Sequence, residues 1–294
     1  MRIGIVTIKD AAYHPNRRLL DAAKEKGHSG RLVHPYHTWP AVQGNRAVAI
    51  DPRGQSRIDA LLPRQGAEVG ESSLALIDYF EQHGLPVVNR SEAIRLARNQ
   101  YLTICKLAEA GLPVLDSVLI NSEEGFWIAV ESLGGFPLVI KHPSGRQGEG
   151  IRLARDTEDG RKYLAELLTP RLGLMVQSFV PPEDRLDIRV LVIGGETAGA
   201  MALQPLEGDF RANFHLTGRS QPVDVWPELA KTAVRAASGL DLEIAGVDLL
   251  ADPHRRLRVL EVNYAPGFQG LEAATGLDVA GMMVDYIVDT YGKK

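Results

Sequence analysis

Apolar and polar positions alternate in two styles along the first hundred residues. Residues 3–8 form a short, nearly continuous apolar run, the pattern of a buried strand. Residues 17–26 carry a helical period that Gly27 ends. Residues 31–34, cut by Pro35, and residues 58–62, followed by Pro63-Arg64-Gln65-Gly66, predict two further strands. Residues 72–83 place Leu76, Ile77 and Phe80 on one side of a helix stopped by Gly84, and residues 85–88 predict a short strand. Strands alternating with helices predict a parallel α/β domain over residues 1–95.

Beyond that point the style changes to α+β. Ser91 is placed to cap a helix over 92–98, and a second helix over 99–110 ends at Gly111-Leu112-Pro113. Short strands are predicted over 117–120, 137–141, 151–154 and 174–179, with a helix over 159–168. The last third predicts strands over 188–193, 196–202, 244–250 and from Leu257, and helices over 226–237 and 277–291. The expected divisions are therefore 1–95, 96–179 and 180–294. No repeat or low-complexity tract interrupts them.

Composition narrows the setting. A chain of 294 residues can build two or three cores, and a net charge of -4 gives no basic surface that demands nucleic acid. The one cysteine, Cys105, forms neither an internal disulfide nor a zinc cluster, and His34 and His37 have no further ligand nearby in sequence. No signal-peptide core or run of transmembrane length is present, so a cytoplasmic protein without a membrane or nucleic-acid partner is expected.

Two stretches carry chemistry. Ile244-Ala245-Gly246-Val247-Asp248-Leu249-Leu250 and Leu260-Glu261-Val262-Asn263 are apolar strands on either side of a polar turn containing Pro253. Side chains alternate along a strand, so Glu261 and Asn263 share a face, and a hairpin sets Asp248 opposite Glu261. Three oxygen ligands then converge, a set suited to Mg²⁺. Solvated strand-end acids are the alternative, but the apolar company argues for burial, and buried acids need a partner or a metal.

The second stretch is the strand Leu138-Val139-Ile140-Lys141, which runs into a loop with Gly145, Gly148 and Gly150 and then into another strand. Glycines let backbone amides approach an anion, and a strand-end lysine adds a point charge. No Gly-Lys-Ser/Thr follows and no helix succeeds the loop, so it is neither a P-loop nor a dinucleotide fingerprint. Asp187 and Arg189 share a strand face, and Arg211 and Asn213 follow. Singly these are surface charges or ion pairs; with Lys141 and the three oxygen ligands they match the needs of phosphoryl transfer.

In order, these motifs resemble the ATP-grasp ligases, and most closely the RimK branch. The resemblance spans nearly the whole chain: Pro63-Arg64, Lys141 with residues 145–150, Val176-Gln177-Ser178-Phe179-Val180, Asp187-Ile188-Arg189, residues 207–213, Ala245-Gly246-Val247-Asp248, Glu261-Val262-Asn263 with Pro266-Gly267, and Thr275-Gly276-Leu277-Asp278. It implies a pre-ATP-grasp domain and two α+β subdomains that clamp ATP. It also implies that Lys141, Gly145, Gln147, Gly148 and Gly150 meet the phosphates. Gln177, Ser178, Phe179 and Val180 belong to the adenine hinge, and Asp187 reaches the ribose. Arg211, Asn213 and Arg189 serve the transferring phosphoryl group, and Asp248, Glu261 and Asn263 hold Mg²⁺ (or Mn²⁺), in a pair of ions. The implied reaction is ATP-dependent: an acceptor carboxylate becomes an acyl phosphate, and an amino-acid amine displaces phosphate. The implied partners are an amino acid and a peptide, protein C-terminus or cofactor, and the implied assembly is a homodimer or homotetramer.

The chain departs from the family pattern at Gln100, where a second lysine is usual, and at Gln204-Pro205 and Leu216, where the RimK branch tends to have arginines. These changes leave open a ligase acting on an amino-acid carrier protein, a cofactor glutamyl ligase, or a nucleotide-binding module without catalysis. Arg64 is a candidate for a substrate carboxylate or for an ion pair within its own domain. Tyr264, bulky beside Asn263, either shapes the acceptor pocket or only packs, and Gly267 is a further substrate candidate.

Overall fold

The computed structural model describes the chain except residues 55–56, 67–68, 145–149, 204–208, 212–219 and 293–294. Gly145, Gln147, Gly148, Asn213, Gln204, Pro205 and Leu216 therefore lie outside the described residues.

The first domain opens with β1 (Arg2–Val6), α1 (His14–Glu25) and β2 (Ser29–Val33), followed by the ribbon β3 (Trp39–Gln43) and β4 (Arg46–Ile50), and then β5 (Ala60–Pro63) and α2 (Glu71–Gln82). β1 lies between β2 and β5, parallel to both, as the alternating pattern predicts. The expected strand over 85–88 reduces to a bridge between Leu61 and Val87. The ribbon β3–β4 was not expected: Trp39 to Val42 and Ala47 to Ile50 are apolar without alternation, so no period marks them.

Helices α3 (Ser91–Ala97) and α4 (Gln100–Glu109) lead out of this domain. Asn99 caps α4 by accepting from the Leu102 amide at 3.1 Å, whereas Ser91 lies inside α3 and its hydroxyl donates to Glu81 at 2.9 Å. The next unit contains β6 (Ser117–Ile120), α5 (Glu123–Ser132), β7 (Leu138–Lys141), β8 (Arg152–Ala154), α6 (Thr157–Leu167) and β9 (Leu174–Ser178), in the antiparallel order β6-β9-β7-β8. The last third builds an antiparallel sheet from β10 (Leu186–Ile193), β11 (Glu196–Leu203), β12 (Ser220–Pro222), β13 (Ile244–Ala251) and β14 (Leu257–Asn263), ordered β12-β11-β10-β13-β14. Helices α7 (Pro227–Gly239), α8 (Gln269–Thr275) and α9 (Val279–Tyr291) cover it. No helix among the described residues is long and apolar enough to cross a membrane.

The unit around β6–β9 has a core of its own, centred on Phe126, Ile140 and Val176. The first domain and the five-stranded sheet share two cores: Leu61, Ile77, Ile94 and Leu107 pack with Val190 and Val247, and Ile5, Leu19 and Leu62 pack with Leu191, Phe268 and Met283. Burial joins the first and last thirds into one body, with the four-stranded unit facing it across the site.

Candidate active site

Three neighbouring strands set the charges of the site in one row. Arg189 on β10, Asp248 on β13 and Glu261 on β14 are successive cross-strand partners, so the hairpin does place Asp248 opposite Glu261. Gly246 pairs with Asn263, and the ladder shifts register between Asp248 and Leu249. Such bulges re-aim side chains next to them. Arg189 forks onto Asp248, with Nε donating to Oδ1 and Nη2 to Oδ2, both at 2.6 Å. Asn263 Nδ2 donates to Asp248 Oδ2 at 3.2 Å, which turns its side-chain oxygen away from that carboxylate.

Lys141 enters from the end of β7, on the facing sheet, and is buried. Burial lowers its pKa against the pull of the Glu261 carboxylate. Burial, and then the neighbouring Asp248, raises the pKa of Glu261 against the pull of Lys141 and Arg189. Burial works against the charge of Arg189 as well, yet Asp248 and Glu261 hold it more firmly protonated than usual. Two acids and two cations thus balance in a partly buried site, where charges act more strongly on one another than in bulk water.

Residues 177–180, expected at an adenine hinge, span the end of β9 and the two residues after it. The Ser178 amide donates to the Asp116 carbonyl at 3.0 Å, and Gln177 Nε2 donates to Ser117 Oγ at 2.9 Å, so the Gln177 amide is committed to its own sheet. Phe179 meets Phe210 edge to face, with ring centroids 5.9 Å apart. Arg211 folds back on Asp209, with Nη2 donating at 2.8 Å. Gly150 has a φ of 73°, a left-handed conformation suited to glycine. The Gln100 backbone N–H donates to the Pro143 carbonyl at 2.7 Å, so Gln100 stands beside the segment that follows Lys141, and its buried side-chain oxygen has no partner.

Arg64 lies at the end of β5, half-buried. Its Nη2 donates to the Pro266 carbonyl, its Cζ lies 5.6 Å from the centre of the Phe268 ring, and burial lowers its pKa to about 10. Among the described residues no acid pairs with it, so the ion pair within its own domain is not formed there. Tyr264 is buried and its hydroxyl donates to the Gly66 carbonyl, so it packs and clasps at once. Gly267 separates Pro266 from Phe268 within the same clasp.

Two organising residues escaped the sequence reading. Arg185 donates to the Val180 carbonyl, to the Phe210 carbonyl at 2.6 Å and to Asp187 Oδ2 at 3.0 Å. It ties the hinge, the Arg211 segment and Asp187 together; its only signal was the alternation of Arg185, Asp187 and Arg189. Burial raises the pKa of Asp187 against the pull of Arg185. Asn89 is buried, donates at 2.7 Å to the carbonyls of Ile244 and Tyr264, and accepts from the amides of Glu243 and Ile244 at 2.7 and 2.9 Å. Nothing in its sequence neighbourhood announced that role.

The donor set fits Mg²⁺ bound with a nucleotide: two carboxylates and an amide oxygen are hard ligands, and a buried lysine faces them. Among the described residues no three His, Cys, Asp or Glu side chains gather into a metal site.

Comparison with known proteins agrees over the whole length. The family of RimK pre-ATP-grasp domains matches residues 1–94 and that of RimK-like ATP-grasp domains matches residues 97–287. A probable alpha-L-glutamate ligase of Chromohalobacter salexigens is 34% identical over 289 residues, covering 98% of this chain and 95% of the relative. One of Aliivibrio fischeri is 34% identical over 296 residues, covering 100% and 97%. A RimK domain ATP-grasp protein from Sphaerobacter thermophilus superposes with a TM-score of 0.76 at 22% identity, over 97% of this chain and 99% of the other. The ATP-grasp ligase PsnB, solved with a phosphomimetic variant of its minimal precursor, Mg and ADP, superposes with a TM-score of 0.74 at 21% identity, over 98% of both chains. At these identities the two structures establish the fold.

Proposed function

The chain belongs to the RimK-like ATP-grasp family, and from that premise we propose that it joins the amine of an amino acid, L-glutamate foremost, to the carboxylate of a peptide, a protein C-terminus or a cofactor. It is an ATP-dependent carboxylate–amine ligase, like its relatives, which use ATP and Mg²⁺. The observation that carries the reading is the row of Arg189, Asp248 and Glu261 with Lys141 buried against it. ATP bound with Mg²⁺ supplies the phosphoryl group that makes the acceptor carboxylate an acyl phosphate, from which the amine displaces phosphate.

In this reading Asp248, Glu261 and Asn263 hold a pair of Mg²⁺ ions, with Mn²⁺ as a substitute. Arg189 orients Asp248 and, with Arg211 and Asn213, offsets charge at the transferring group. Lys141 and the segment with Gly145, Gln147, Gly148 and Gly150 cradle phosphate and exclude water, which would otherwise hydrolyse the activated acid. Gln177, Ser178, Phe179 and Val180 shape the adenine side, and Asp187 meets the ribose. Arg64, Tyr264 and Gly267 border the acceptor and the amino acid. The names of the glutamate-ligase relatives support glutamate. The arginines that suit acidic substrates are absent at Gln204, Pro205 and Leu216, which counts against glutamate and most of all against poly-glutamate extension.

A cytoplasmic setting is supported by the use of ATP. A homodimer or homotetramer is supported by the ribbon β3–β4, which leaves Trp39, Val42 and Ile50 exposed; light scattering of the purified protein checks it. The function is tested by ADP release from the purified protein with ATP, Mg²⁺ and a panel of amino acids and acceptors, with product masses read alongside. ADP release that requires both a carboxylate and an amine is expected, and the mass gain names the amine. Glu261→Gln is expected to lower turnover about a hundredfold or more with the fold retained. Full activity in that variant removes Glu261 from the metal site.

A further inference from the structure

In open α/β sheets ligands settle at the carboxyl ends of the strands, and that end of β1–β5 holds a group of polar atoms with nothing to bond. Arg64 and Gln65 follow β5, and His14 opens the helix that follows β1. Phe268 joins them: Arg64 lies over its ring at 5.6 Å and the His14 ring sits 6.0 Å from it. Two hydrogen bonds clasp residues 64–66 against residues 264–268, one from Arg64 to the Pro266 carbonyl and one from Tyr264 to the Gly66 carbonyl. Within that clasp Arg64 Nε and both polar atoms of Gln65 are buried without a partner, as is His14 Nδ1 on the ring beside Phe268, and Gln65 is only 6% exposed.

The neighbouring charges do not use these atoms. Arg18 donates to Glu272 at 3.1 Å and to Asp278 at 2.7 Å, closing a set of its own, and His14 Nε2 stands 3.7 Å from Glu272. Folding alone gains nothing from a buried amide with both ends unmade or from a guanidinium with no acid among the described residues. A guanidinium with an idle N–H calls for an anion, and a carboxylate matches its fork. An idle amide beside it calls for a ligand that both donates and accepts. A free amino acid offers both. Pro266 lies three residues beyond Asn263, so the clasp is within about 10 Å of chain reach of the metal ligands.

We propose that this clasp is the amino-acid site of the ligase, with Arg64 holding a carboxylate of the incoming amino acid and Gln65 and His14 supplying its neutral hydrogen-bond partners. The proposal rests on the ligase reading and deepens it. Binding is measured by thermal shift of the full-length protein with ADP and Mg²⁺, using the common L-amino acids together with L-glutamine and L-isoglutamine, which replace one or the other carboxylate of glutamate by an amide.

At least one amino acid is expected to raise the melting temperature, and an amide at one of its carboxylates is expected to weaken binding about tenfold or more. Gln65→Met and Arg64→Lys should each weaken it by a similar factor, with affinity for ADP and Mg²⁺ within about twofold of the parent. Gln65→Met should also melt no lower than the parent without ligand, because it removes only unpartnered polar atoms. Amino-acid affinity unchanged in Gln65→Met, no loss with either amide, or no amino acid bound at all overturns the proposal. So does a lower ligand-free melting point in Gln65→Met with affinity intact, which marks the atoms as water-bridged structure. Failure of the parent to bind ADP and Mg²⁺ instead undermines the ligase reading itself.

Discussion

Asn89 shows how much one amide can hold. Its side chain satisfies the amides of Glu243 and Ile244 at the entry to β13, the carbonyl of Ile244 and the carbonyl of Tyr264 after β14, three of the four in buried contacts. Asn89→Leu leaves those four groups unmade and should cost about 3–5 kcal/mol, allowing for relaxation, as read by denaturant unfolding. Asn89→Asp keeps the shape but turns an anion toward two carbonyls. Its folded-state pKa should be raised, so it should be destabilised at neutral pH and recover in part in acid, where the protonated oxygen donates again. A cost below about 1 kcal/mol for the leucine variant would show that water replaces the amide. Glu261 works by a different logic. Burial and Asp248 both oppose its charge, a cost that the proposed metal would offset.

Between elements, Glu81 ties the end of α2 to the start of α3. It accepts from Arg90 Nε, from the Ser91 amide at 3.1 Å and from the Ser91 hydroxyl at 2.9 Å. Burial opposes its ionisation, but Arg90 and Ser91 outweigh it and lower its pKa below the ordinary 4.5. A carboxyl that is depressed on folding contributes stability above its unfolded pKa and loses it as pH falls through the folded value. Glu81→Gln should therefore cost about 0.5–1 kcal/mol at neutral pH, a modest figure because Arg90 is largely exposed. The difference from the parent should vanish in strong acid when urea unfolding is repeated there. A difference that is the same at every pH would make the contact one of packing. The same contact explains why Ser91, placed by sequence as a helix cap, sits inside α3 instead: its hydroxyl serves Glu81.

At the scale of the molecule, the site lies where the four-stranded sheet meets the body formed by the first and last thirds. A ligand that joins them stabilises the whole by mass action, about 2.7 kcal/mol at a hundredfold excess over its dissociation constant. ATP with Mg²⁺ should thus raise the melting temperature by several degrees, and a chelator should remove most of the rise. Glu261→Gln should respond to ATP equally with and without Mg²⁺. An undiminished shift in the parent after chelation would place nucleotide affinity in Lys141 and its loop rather than in the metal ligands.

Much of this was legible in the order of residues. The parallel domain, the apolar hairpin with Asp248 opposite Glu261, and the strand ending at Lys141 follow from periods and turn residues, which are local. The ordered motifs carried the family, and the family carried the chemistry. Tertiary structure alone decided the rest. The ribbon β3–β4 has no alternation to reveal it, and α5 and α8 went unread because their apolar faces are short. Arg189 could be placed on a strand face, but only the antiparallel register of β10 with β13 set its fork on Asp248. Arg185 and Asn89 act on partners far away in sequence, and Gln65 matters only because the clasp buries it without a partner. Sequence determines which side chains share a face; the packing of separate sheets decides which of them meet, because it depends on burial summed over the whole chain.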